Sequence, residues 1–240
     1  MQRRELLRWA AALALLTPPA LAPLAALPAE VAGVGLPRTP RALRAAAFAR
    51  AACPDFLFNH CLRTYLFGAL RLTRLQRSCR AEDAFIGAAL HDLGLLPRFA
   101  SAAGSFEQDG ADAAERWVRA AHGTAAQAAR VWYAVRLHAG AWTLTERAGG
   151  EAMLVALGAA ADVDGPPRAE LDARQVAEVV AAFPRLGFKQ RFTALLVAHC
   201  ERKPGVQEHT WLEGLCRAHG TPAPPPAAVA DQIAAAPFAE

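Results

Sequence analysis

No two cysteines of this chain stand in a CxxC spacing, and their number is odd: Cys53, Cys61, Cys79, Cys200 and Cys216. A zinc-finger or thioredoxin-type motif is thereby excluded, and the five cannot all pair within one chain. Also lacking is a basic run interleaved with aromatics. The 26 lysines and arginines exceed the 22 aspartates and glutamates by four. Part of that excess lies in the first ten residues, where Arg3, Arg4 and Arg8 stand against Glu5. Nucleic acid is therefore not an expected partner. No apolar run is long enough for a stable membrane span. No alternation of apolar and polar residues persists far enough to predict a sheet, and no internal repeat is visible.

What is present is alanine, a strong helix former, and punctuation by proline and glycine. The pattern predicts an all-α fold. Helices are expected over Arg41–Ala52, Phe56–Leu75, Ala81–Leu93, Asp109–His122, Thr124–His138, Gly150–Val163, Asp172–Phe183, Phe188–Arg202 and Glu208–Ala218. Pro54, Gly94, Gly123 and Gly140 mark ends, and Thr124 is a ready N-cap. With 240 residues the chain can bury one real core. The expected organisation is a 1–35 extension, a helical domain over 36–220 and a Pro/Ala-rich tail over 221–240.

The extension has the order of an export signal: Arg3-Arg4-Glu5-Leu6-Leu7-Arg8, the apolar run Trp9 to Leu16, then Thr17-Pro18-Pro19. The arginine pair before a moderate apolar run points to a twin-arginine-type signal and a periplasmic destination. The alternative is an Ala/Pro-rich extension on a cytoplasmic protein.

Four positions carry the chemistry. His60, the adjacent pair His91-Asp92, and Asp162 each sit in an apolar helical stretch, where an uncompensated charge is costly. Two imidazoles and two carboxylates form a nitrogen/oxygen set that can hold one divalent metal and polarise a bound water for attack on an electrophile. Separate helices of a bundle can bring such positions to a common centre. Taken singly, His91-Asp92 can be a helix-end pair bonded to loop backbone, and Asp162 a cap or a solvated carboxylate.

The strings around these positions extend the pattern in chain order: Asn59-His60-x-x-Arg63, Leu90-His91-Asp92-Leu93-Gly94, Phe106-Glu107-x-Asp109-Gly110-Ala111, Leu137-His138, Ala161-Asp162-Val163, Pro184-Arg185-x-Gly187-Phe188 and Lys203-Pro204. The H…HD…D order resembles the HD superfamily of metal-dependent hydrolases. The Phe-Glu-x-Asp-Gly-Ala string resembles its cyanamide-hydratase-like branch, whose bacterial members are often labelled phosphohydrolases. The resemblance runs from Leu36 to Gly220. It implies an all-α bundle, one Zn or Fe ion, and ligands at His60, His91, Asp92 and Asp162. Cys61 departs from the family pattern, which has a small polar residue there.

The expected activity is attack by an activated water on a small-molecule substrate, with nitrile hydration first and phosphomonoester or nucleotide hydrolysis as the alternative. A regulatory HD module without turnover is the alternative from another class, and an iron oxygenase on a di-metal site is a third reading. Asp92 is the expected metal ligand and proton acceptor. Arg63, one turn from His60, is the expected stabiliser of negative charge. His138 is read as a pocket histidine that orients substrate, donates a proton or serves a second metal, against a plain core role. Glu107 and Asp109 are candidates for orienting a ligating histidine, with helix capping as the other use of Asp109. His122 reads as a helix-end residue, and His199, His209 and His219 as peripheral.

Overall fold

The computed structural model describes residues 27–165, 171–206 and 210–219. The proposed export signal and the C-terminal tail beyond 219 lie outside these residues. Among the described residues there are ten α-helices, a short 3-10 turn and one two-stranded hairpin. The all-α expectation holds.

The hairpin pairs β1 (Glu30–Val31) with β2 (Val34–Gly35). Val31 and Leu36 are buried, and the Tyr65 hydroxyl donates to the Gly35 carbonyl at 3.3 Å. Among the described residues, packed structure therefore includes positions before 36. Helix α1 (Pro40–Ala52) is started by Thr39, whose side chain accepts from the Ala42 amide, and by proline at its first turn. Its buried face is Ala42, Ala45, Ala46 and Ala49, one stripe of small residues at helical spacing.

Helix α2 (Asp55–Arg74) runs through the middle of the molecule and is buried from Phe56 to Gly68. Its main neighbour is α7 (Gly150–Val163). Two glycines set how closely they approach. A Cβ at Gly158 would overlap the Thr64 carbonyl, and one at Gly68 would overlap the Leu154 carbonyl. Position numbers rise along one helix as they fall along the other, so the pair is antiparallel. One more turn along this register brings His60 opposite Asp162.

Helix α3 (Ala81–Leu90) ends at His91, its C-cap, and a 3-10 turn follows at Leu93–Leu95. The sequence extends this helix to Leu93. It stops earlier because Gly94 docks on the next helix. A Cβ at Gly94 would overlap the Phe106 carbonyl, and one at Gly110 would stand 2.8 Å from the His91 carbonyl oxygen. The two glycine-bearing strings thus fit each other, backbone to backbone. Helix α4 (Phe106–Ala120) starts at the Ser105 cap rather than at Asp109. Helix α5 (Ala125–Arg136) carries a full capping box from Thr124 and Gln127.

A short helix, α6 (Trp142–Ala148), has no counterpart in the sequence reading. It buries only Thr145, so it offers no apolar stripe to detect. Helices α8 (Ala173–Ala182), α9 (Phe188–Arg202) and α10 (Glu213–His219) complete the described chain. A disulfide joins Cys200 of α9 to Cys216 of α10. No helix among the described residues is long and apolar enough to cross a membrane.

Candidate metal centre

Three of the four predicted positions meet in the core. His60 comes from α2, His91 from the end of α3 and Asp92 from the turn after it. All three are at most 1% exposed. His60 Nε2 lies 3.2 Å from His91 Nε2, and each nitrogen lies 3.3 Å from Asp92 Oδ2. In a tetrahedral zinc site with bonds of about 2.1 Å, neighbouring donor atoms stand roughly 3.4 Å apart. The triangle has those dimensions, and the three residues form a group that can hold a metal ion.

The hydrogen bonds around the triangle constrain where its protons sit. His91 Nδ1 is 2.8 Å from the Ala88 carbonyl oxygen, which can only accept, so Nδ1 carries the proton. Burial, with His138 and His60 adding to it, lowers the His91 pKa to about 3, so the ring stays neutral. His60 Nδ1 is 2.7 Å from Asp162 Oδ2 and donates to it. Both Nε2 atoms therefore turn lone pairs toward each other and toward Asp92 Oδ2. That oxygen is buried with no hydrogen-bond donor on it. Three acceptors facing one another need a positive charge between them. Without a metal, a second proton on His60 supplies it. Burial opposes that proton, but Asp162 and Asp92 outweigh burial and raise the His60 pKa.

Asp162 is not one of the converging donors. It lies on the far side of the His60 ring, at Nδ1. Its Oδ1 accepts from Arg63 Nε at 2.8 Å and from Arg185 Nη1 at 2.7 Å, and its Oδ2 accepts from Arg63 Nη2 at 2.8 Å as well as from His60. Burial would raise the Asp162 pKa, but His60 and Arg63 reverse that and hold it well below the carboxylate range.

Arg63 also sits differently from its expected role. It is fully buried behind Asp162, and its remaining Nη1 donates to the carbonyls of Phe183 (2.9 Å) and Pro184 (3.2 Å). A guanidinium so engaged is not available to a substrate.

His138 lies beside the triangle. Its Nδ1 donates to the Val135 carbonyl at 2.6 Å, and its Nε2 lies 3.8 Å from Asp92 Oδ1. Its ring meets the His91 ring edge-on at 4.8 Å between centroids.

The enclosure comes from segments whose roles the sequence left blank. Phe188 stacks on His60 at 4.7 Å, and Phe192 follows at 5.3 Å. Arg185 lies over Phe188 at 4.8 Å. Phe106 touches both His138 and His199 at 5.6 Å. His199 is thus fully buried rather than peripheral. Its signal was the inward stripe Phe188, Phe192, Leu196, His199, Cys200 at helical spacing.

Asp109 neither caps α4 nor bonds to His60 or His91. It forms a buried ion pair with Lys203 and accepts from the Ser101 amide at 3.0 Å. Glu107 accepts from Trp211 Nε1 at 3.3 Å. His122 follows the end of α4 in the left-handed region, with φ of 57°. Cys61 is buried, and its thiol pKa is raised by a hydrogen bond with Cys53 and by burial. It offers the centre no thiolate, so the donor set stays nitrogen and oxygen. His219 is exposed, and His209 lies outside the described residues.

No protein-family model matches the chain, and no curated protein matches it in sequence.

Proposed function

We propose that this chain is a metal-dependent hydrolase or hydratase of the HD type, binding one Zn or Fe ion and acting on a small, weakly charged electrophile. The observation that carries the reading is the buried triangle of His60 Nε2, His91 Nε2 and Asp92 Oδ2, with edges of 3.2–3.3 Å and no hydrogen-bond partner on Asp92 Oδ2. A divalent ion in such a site acidifies the water it holds. The chain's own groups handle the protons. Asp92 Oδ1 points away from the triangle toward His138 Nε2, 3.8 Å distant. His138 is fixed through Nδ1, so Nε2 is the atom that accepts or returns a proton. Hydration of a nitrile puts the water oxygen on carbon and both water protons on nitrogen, and His138 would relay one of them.

The charge distribution favours a nitrile-like substrate over a phosphoester. Phosphate oxygens need cations besides the metal. Arg63 and Arg185 are both engaged by Asp162, and Lys203 is engaged by Asp109. The disulfide between Cys200 and Cys216 supports export to an oxidising compartment, in keeping with the twin-arginine-like start of the chain.

The test is a substrate panel on metal-loaded protein: cyanamide, other small nitriles, phosphomonoesters and nucleotides. Nitrile hydration that is lost in His138→Ala is the expected result. Nucleotide or phosphomonoester turnover without nitrile hydration would establish the phosphohydrolase alternative instead. Full metal loading with no turnover of any substrate would favour a regulatory module.

A further inference from the structure

Resting on the metal reading above, we infer that Asp162 is the carboxylate that orients His60, held in place by Arg63 and Arg185, and that the ion has three protein ligands rather than four. The argument starts from the two ring nitrogens of His60. Nε2 belongs to the triangle and Nδ1 faces Asp162 at 2.7 Å. A carboxylate at Nδ1 cannot share a metal with Nε2 of the same ring, because the two lone pairs point in divergent directions. What it can do is fix the tautomer, keeping the proton on Nδ1 and the lone pair on Nε2.

Orientation of this kind requires a carboxylate that does not move. Arg63 grips both Asp162 oxygens in a fork, with Nε and Nη2 each at 2.8 Å. Arg185 adds a contact to Oδ1 at 2.7 Å and two to the Asp162 main-chain carbonyl at 3.2 Å. The close approach of α2 and α7 at Gly68 and Gly158 sets the register that brings Asp162 to His60. The Arg63 fork is in turn anchored to the carbonyls of Phe183 and Pro184, and Asn59 Nδ2 donates to the same Pro184 carbonyl at 2.8 Å. Turning Asp162 toward the triangle would break the His60 bond and leave two guanidiniums without their anion. Burying unpaired charge in this way is strongly unfavourable.

Arg63 and Arg185 are therefore positioning residues, acting through Asp162 and His60. Asp162 carries one negative charge against the two guanidiniums, so it lessens their repulsion of a bound cation without cancelling it. Three protein donors leave the other coordination positions to water and substrate, as an open catalytic site requires.

The experiment titrates Co(II) into metal-free wild type, Asp162→Asn and Arg185→Gln. It follows stoichiometry, affinity and the visible cobalt bands, with histidine-selective 15N NMR on the Zn(II) form. Expected is one ion per chain in all three proteins with the same cobalt bands. Affinity should fall about 10–100-fold in Asp162→Asn, the usual cost of losing an outer partner. Arg185→Gln, a change at a side chain 31% exposed, should fall less and serves if Asp162→Asn does not fold. The NMR should show His60 with its proton on Nδ1 and the metal on Nε2. Shifted cobalt bands in either variant, or metal on His60 Nδ1, would overturn the assignment while leaving the metal site standing. A wild type that takes up no cobalt or zinc would overturn the metal reading itself.

Discussion

At the scale of single residues, the centre depends on glycines as much as on its histidines and aspartate. Gly158 and Gly68 let two backbones come close enough to face His60 with Asp162. Gly158→Ala would push a methyl into the Thr64 carbonyl, one turn from His60. Over-packing of this kind costs about 1–3 kcal/mol. The expected outcome is a lower urea midpoint together with weaker metal binding, whereas an exposed glycine such as Gly35, with open space around it, should tolerate alanine without loss of metal affinity. Most of the triangle was legible in the chain: polar residues inside apolar helices announce that something must compensate them. Which side of the His60 ring Asp162 would take was not legible. That depends on Arg185, which arrives from a later segment, and on a helix register that only packing fixes. Arg63 was visible as a cation one turn from His60, but its burial behind Asp162 was not.

At the scale of elements, the roof over the site is the unit of α9 and α10. Phe188 and Phe192 cover His60, Arg202 donates to the Leu95 carbonyl at 2.9 Å, and Lys203 pairs with Asp109. The Cys200–Cys216 disulfide closes this unit over a separation of 16 residues. A loop of that length is worth about 3 kcal/mol in the chain-entropy account. Reduction, or Cys200→Ser with Cys216→Ser, should therefore lower the unfolding free energy by an amount of that order, read from denaturant curves at fixed metal load. No change would mean that the bond adds nothing to the roof. An odd cysteine count excludes complete pairing but does not tell which two thiols meet. Helix boundaries were readable where caps and stripes agreed, as at Thr124. They failed where a glycine docking contact, invisible locally, ended α3 early, and where α6 buried a single threonine.

At the scale of the whole molecule, a buried helix, α2, brings His60 into the middle of a bundle, and α3 and its following turn bring His91 and Asp92 to meet it. The all-α architecture followed from alanine content and helical periodicity, which need no long-range information. The meeting of three acceptors in the core does need it, and it is the central claim. A cation bound only by the folded state stabilises it, by about 2.7 kcal/mol at a hundredfold excess over its dissociation constant. The most direct measurement is metal stoichiometry, with thermal melting, on protein first stripped of metal and then given Zn(II) or Fe(II), comparing wild type with the His91→Ala, Asp92→Ala double variant. The account predicts one ion per chain and a raised melting temperature in wild type, with neither in the double variant. A stoichiometric, tightly held ion in the double variant would contradict it.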